Sequence, residues 1–135
     1  MLVDVFFSTC VMANSKTSNK HGRFGESLAT GYLRSLGYFI LERNWRCQHK
    51  EIDLIASDGE TAVFVEVKFR TGKQYGEAEE FVDERKMNFM IDAADQWLEK
   101  TNWEGDLRFD IVAITAENSK YQIEHIPNAF QADLS

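Results

Sequence analysis

Apolar residues recur along this chain with two periods, and the changes from one to the other outline its elements. From Gly22 to Leu36, Phe24, Leu28, Tyr32, Leu33 and Leu36 fall at helical spacing, and Gly37 is the residue type that ends a helix. Tyr38 to Trp45 reads as a strand. Glu51 to Ser57 is a second strand, and the turn pair Asp58-Gly59 joins it as a hairpin to the apolar run Thr61 to Arg70. After a loop over Thr71 to Gly76, Ala78 to Lys100 sets Phe81, Val82, Met87, Phe89, Met90, Ala93, Ala94, Trp97 and Leu98 in a helical pattern free of Pro and Gly. Leu107 to Thr115 and Tyr121 to Ile126 read as strands around the turn Glu117-Asn118-Ser119. The predicted order is α-β-β-β-α-β-β. A helix between the third and fourth strands is a crossover, so those strands should be parallel neighbours in a mixed β-sheet flanked by helices, an α/β fold.

The third strand carries the feature that changes this picture. In Ala62-Val63-Phe64-Val65-Glu66-Val67-Lys68-Phe69-Arg70, an apolar run typical of a strand covered on both faces holds Glu66 and Lys68, two residues apart and on one face. An unpaired buried charge is costly, so a partner must stand nearby. Asp53 lies on the preceding strand, and an Asp/Glu/Lys cluster can form across the hairpin.

Hydrolysing a phosphodiester requires neutralising a phosphate that is already anionic, and one or two Mg²⁺ or Mn²⁺ ions held by carboxylates do this while orienting water. Asp53 and Glu66 are the candidate metal ligands, with the main-chain carbonyl of Val67 as a third donor. Lys68 can assist the attacking water and stabilise the charge that develops on phosphorus. Glu26, in the first helix, is a further candidate catalytic carboxylate, brought close by Gly22 and Gly25; an acid placed there to meet the helix dipole is the plainer reading. Glu51 shares the face of Asp53, although solvent exposure accounts for it as well. The Asp/Glu/Lys trio also fits a buried salt-bridge network without metal. Arg23, Arg70, Lys73 and Lys50 are the candidate nucleic-acid contacts, while Lys86 on the second helix reads more simply as a solvated side chain. Asp110, in an apolar strand, is expected to hold Arg108 or another basic group. His21 and His49 have no partner at metal-ligand spacing and read as loop residues.

Charge qualifies a nucleic-acid partner without excluding it. The net charge is −7, yet residues 16–73 hold ten basic against seven acidic side chains, and residues 74–135 hold five against fourteen. The candidate cluster lies in the basic half. With 135 residues and 44% hydrophobic content, one globular domain is expected, over residues 21–127. Residues 1–20 read as a disordered or mis-assigned N-terminal arm, with Met12 as an alternative start, and residues 128–135 as a C-terminal tail. No run approaches the roughly 20 apolar residues of a membrane span. Two cysteines, Cys10 and Cys47, without metal spacing suit free thiols in a cytoplasmic protein.

Four blocks together carry a family resemblance: Gly22-Arg23-Phe24-Gly25-Glu26, Glu51-Ile52-Asp53-Leu54-Ile55-Ala56, Phe64-Val65-Glu66-Val67-Lys68-Phe69-Arg70 and Arg108-Phe109-Asp110-Ile111-Val112-Ala113-Ile114. In these blocks, over about residues 20 to 126, the chain resembles the bacterial YraN family of endonuclease-like proteins. The resemblance implies a restriction-endonuclease-like fold similar to that of archaeal Holliday junction resolvases, with the Asp…Glu-x-Lys core on Asp53, Glu66 and Lys68 and the acid of the first helix on Glu26. It implies a Mg²⁺-dependent nuclease acting on DNA, with branched DNA a candidate substrate, in repair or recombination. Lys50 departs from the pattern, standing where the family usually has Gly. A non-catalytic nucleic-acid-binding or protein-interaction module that retains the nuclease fold is the alternative. Cutting two strands symmetrically favours a homodimer.

Overall fold

In the computed structural model, which describes residues 2–6, 18–71 and 82–132 (backbone alone for 2–6 and 18–21), the predicted order runs from Ser18 to Phe130 behind one extra strand. The elements are β1 (Leu2–Phe6), α1 (Ser18–Ser35), β2 (Phe39–Cys47), β3 (Lys50–Ser57), β4 (Thr61–Thr71), α2 (Glu84–Thr101), β5 (Asp106–Glu117) and β6 (Lys120–Phe130). One mixed sheet has the strand order β1-β6-β5-β4-β3-β2. The pair β4/β5 is parallel, as the α2 crossover requires, and the other pairs are antiparallel.

The β3/β4 hairpin is closed by a side chain. Asp58 Oδ1 accepts the N–H groups of Glu60 (2.9 Å) and Thr61 (2.8 Å), while Gly59 takes a φ of +107°. α1 covers one face of the sheet, with Ala29, Tyr32 and Leu33 on Leu54, Ala56, Val63, Val65, Val112 and Ile114. α2 covers the other, with Met90, Ala93, Ala94 and Trp97 on Ile55, Ala62, Phe64 and Phe109. β4 lies between them, and this explains its nearly unbroken apolar run.

Three boundaries differ from the sequence expectation. Within the expected N-terminal arm, Leu2–Phe6 pairs antiparallel with β6, from Leu2↔Glu124 to Phe6↔Lys120, and Ser18 to Lys20 already belong to α1. The edge of β6 supplies the backbone partners, a long-range condition that local composition does not register. Cys10 and Met12 lie outside the described residues. Next, α2 begins at Glu84, because Asp83 is its N-cap: extended, with its carboxylate accepting the Lys86 N–H at 2.9 Å. Val82 is buried but not helical, and residues 78–81 lie outside the described set. Finally, the domain does not end at Pro127. The β5/β6 register shifts between Phe109 and Ile111, Asn128 turns through a φ of 53° with its N–H on Asp110 Oδ1 (2.9 Å), and Phe130 stacks on Phe109 with centroids 4.9 Å apart. Pro127 sits at an irregularity that spares the ladder the donor it lacks.

Candidate metal centre

The β3/β4 ladder runs from Ser57↔Ala62 to Leu54↔Val65. At the next position Asp53 meets the partner strand with its side chain: Val67 N–H donates to Asp53 Oδ2 at 2.8 Å. The strand slips here. Ile52 and Ile55 pack on the α2 side while Leu54 and Ala56 pack on the α1 side, so the period of two is broken next to Asp53. The carboxylate therefore sits where β3 and β4 separate. In an extended strand the N–H and C=O of one residue point to the same side, so the carbonyl of Val67 faces that gap as well.

Two more carboxylates reach this gap. Oxygens of Glu26, Glu51 and Asp53 lie within 4.8 Å of one another, contributed by α1 and β3. Because α1 starts at Ser18, Glu26 stands beyond its first turn, where the helix dipole no longer acts, and the plain reading of this acid loses its basis. Gly25, its neighbour, is the close approach: a Cβ there would stand 3.2 Å from the Phe69 ring. Gly22 has open space around it and plays no such part. Glu51, which sequence reasoning also assigned to solvent, belongs to the cluster; the period of two that aligns it with Asp53 was the available signal, and Arg46 Nε stands 3.2 Å from its Oε2.

Glu66 approaches Asp53 from β4. It is 5% exposed, feels the Asp53 charge, and has Lys86 Nζ of α2 at 3.3 Å from Oε1. Burial and then the neighbouring Asp53 charge push its carboxyl up to about 7, against the opposing pull of Lys86 and Lys68. Asp53 is also raised, by burial first, with the Val67 N–H and Lys86 working the other way. Glu26 is raised by burial and by the charges of Asp53 and Glu51, with Asn44 and Arg43 opposing. Lys68 is half-buried, two residues along β4. Thus Glu26, Glu51 and Asp53 group together, Glu66 approaches Asp53 from β4, and Glu26, Asp53 and Glu66 each hold a proton more tightly than an ordinary carboxyl.

This has a measurable sign. A carboxyl whose pKa is higher folded than unfolded binds its proton more tightly in the native state, so its stabilising contribution is full below about pH 4.5 and disappears as pH rises through about 7. The metal-free protein is expected to lose on the order of 2–3 kcal/mol relative to Glu66→Gln over that window. Urea denaturation of both proteins at pH 5 and pH 8 checks this; equal differences at the two pH values would contradict it.

The candidate phosphate contacts are less uniform. Arg23 is exposed on α1, three residues before Glu26. Lys50 is half-buried, 4.0 Å from Asp92 of α2. Arg70 is mostly buried: its Nε donates to Thr115 Oγ1 (2.7 Å) and Nη2 stands 3.5 Å from Glu124 Oε1, so it braces β4 to β5 and β6. Lys73 lies outside the described residues. Lys86, read from sequence as solvated, touches Glu66; its place one turn before the buried Met90 was the signal. Cys47 is a buried free thiol donating to Gln96 Oε1.

Beneath α1 lies a second polar cluster. Asp110 holds Arg108, as expected, with Nε at 2.8 Å, and also His125, whose Nε2 is 2.7 Å from Asp110 Oδ2. With its Nε2–H donated to Asp110, His125 accepts the Tyr32 hydroxyl at Nδ1 (3.1 Å), and Tyr38 Oη lies 2.7 Å from Arg108 Nη2. This network ties α1 to β5 and β6.

Residues 25–114 match the model of the uncharacterised protein family UPF0102. This is the YraN family, and the chain belongs to it. A UPF0102 protein of Geobacter metallireducens is 49% identical over 111 residues, covering 82% of this chain and 91% of that protein. One of Chlorobium chlorochromatii is 45% identical over 115 residues, 81% and 89% of the two chains, and one of Flavobacterium psychrophilum is 38% identical over 112 residues, 83% and 94%. The matched segment holds Glu26, Glu51, Asp53, Glu66, Lys68 and Lys86, so the whole carboxylate cluster lies in the part of the chain that defines UPF0102.

Proposed function

We propose that this UPF0102 protein is a Mg²⁺- or Mn²⁺-dependent nuclease that hydrolyses phosphodiester bonds of DNA, branched or structured DNA first among the candidates, in the cytoplasm. The observation that carries the reading is the grouping of Glu26, Glu51 and Asp53 from α1 and β3, with Glu66 approaching Asp53 from β4; burial raises the Asp53 and Glu66 carboxyls, and the Asp53 charge raises Glu66 further. The donors suit the ion: oxygens alone, several of them anionic and short of compensating charge, are what a hard divalent cation stabilises. Asp53, Glu66 and the Val67 carbonyl would hold it, with Glu51 and Glu26 within reach. Such an ion supplies positive charge for a phosphate and lowers the pKa of a water molecule. Lys68 would stabilise charge developing on phosphorus, and Glu26, whose carboxyl is shifted up, would accept a proton from the attacking water. The restriction-endonuclease-like architecture implied by the family resemblance is compatible with the mixed sheet and its two flanking helices.

The test is incubation with branched, single-stranded and duplex DNA under Mg²⁺ and Mn²⁺, beside Lys68→Ala. Metal-dependent cleavage lost in the variant is the expected result; cleavage unaffected by Lys68→Ala would mean another site or another protein. One observation favours the alternative of a non-catalytic binding module. Arg70 is spent on Thr115 and Glu124, which thins the basic surface of a chain with a net charge of −7. That reading predicts salt-sensitive DNA binding with no metal dependence.

A further inference from the structure

Among the described residues Lys86 is the cation that meets Glu66, at 3.3 Å, and its charge acts on Asp53 as well. Its position follows from local structure. Asp83 fixes the start of α2, and Lys86 falls one turn before Met90, on the stripe that Ala93, Ala94 and Trp97 continue against the sheet. The two ends of the pair differ in exposure: the Glu66 side chain is 7% exposed, whereas that of Lys86 is 36% exposed. Lys68 is anchored on a strand beside the same carboxylates, but Lys86 hangs from a helix on a flexible four-carbon stem with a route to water.

A carboxylate oxygen in contact with an ammonium cannot coordinate a dication at full strength, because the two cations repel each other across it. We propose that Lys86 is the internal counter-cation of the carboxylate cluster, displaced from Glu66 when a divalent cation enters and thereby freed to bind a phosphate of the nucleic-acid substrate. This rests on the metal-centre reading above. Lys86 then links the two binding events: the cluster is neutralised by its own lysine until the ion arrives, and the ion releases a positive charge at the edge of the site. A purely structural ion pair between α2 and β4 would instead lower stability when broken and leave metal affinity alone.

Calorimetric titration of Mn²⁺ into the full-length wild type, Lys86→Met and Lys86→Gln separates these cases. Both substitutions keep the backbone N–H that meets Asp83, so the helix cap survives, and thermal melting verifies the fold. Mn²⁺ affinity is expected to rise about three- to tenfold in both variants. With Ca²⁺, a cation that also takes oxygen ligands, fluorescence anisotropy of a labelled branched DNA should show binding weakened about threefold or more by the same substitutions. Mn²⁺ affinity unchanged or lower in both variants overturns the displacement and leaves the metal centre standing. Unchanged DNA affinity overturns the release to phosphate. Absence of Mn²⁺ binding in the wild type and both variants overturns the metal centre itself, and the proposal with it.

Discussion

Asp53→Asn is expected to reduce Mg²⁺-dependent cleavage by about 10²–10³-fold or more, the rate equivalent of roughly 3–4 kcal/mol, while the protein stays folded. The two halves of this expectation have separate causes. An amide oxygen can still accept the Val67 N–H that Asp53 Oδ2 now accepts at 2.8 Å, so the junction of β3 and β4 persists. What disappears is the negative charge shared with Glu66, Glu51 and Glu26. Since that charge is opposed by burial first and by Glu51, which together outweigh the Val67 N–H and Lys86, the metal-free variant should be as stable as the wild type or more so at pH 8. Single-turnover cleavage and urea denaturation of the same preparation check both halves. A variant that cleaves normally would remove Asp53 from the site, and one that unfolds would make the residue a structural clamp.

Asp110→Ala should have the opposite character, a large loss of stability of about 3–5 kcal/mol. Asp110 is completely buried, and its removal takes an acceptor from the Arg108 guanidinium, His125 Nε2 and the Asn128 N–H at once. For a chain of this length the loss corresponds to a fall of roughly 10 °C or more in Tm. The pH dependence also runs opposite to that of Glu66. Burial alone would raise the Asp110 carboxyl, but the hydrogen bonds from His125, Arg108 and Asn128 outweigh it and hold it below the ordinary value. Its contribution is therefore present above about pH 4 and lost as pH falls through the lowered value. Calorimetric melting of wild type and Asp110→Ala at pH 7 and pH 3.5 should show the gap between them narrowing in acid. An equal gap at both values would mean that packing, and not the buried charge, is what Asp110 supplies.

What the chain disclosed on inspection, and what it withheld, follows from the range of the interactions. The hairpin around Asp58-Gly59, the crossover helix and the pair Glu66/Lys68 are written locally, in turn residues and periods of two and 3.6, and they appear in the fold as read. Asp53 was found for the same reason, one strand away across a short turn. Lys86 was weighed as solvated because its meaning depends on which face of α2 packs against β4. Arg70 resembled a phosphate ligand because nothing local announces Thr115 and Glu124, 45 and 54 positions further on. The pairing of β1 with β6 joins segments more than a hundred residues apart. Two boundary differences were chemical. Pro127 suggested an end to the strand but sits at a register shift, and Val82 was read as helical although Asp83 caps α2 after it.

Gly25 makes the spacing of α1 and the sheet beside the carboxylates a matter of one missing methyl group. It lets the backbone of α1 ride on the Phe69 ring one residue before Glu26. A methyl group there would press on the Phe69 ring at 3.2 Å, so that ring or helix must give by a few tenths of an ångström one residue before the α1 carboxylate, without altering a single charge. Reach, and not acidity, is what the smallest residue in the protein governs.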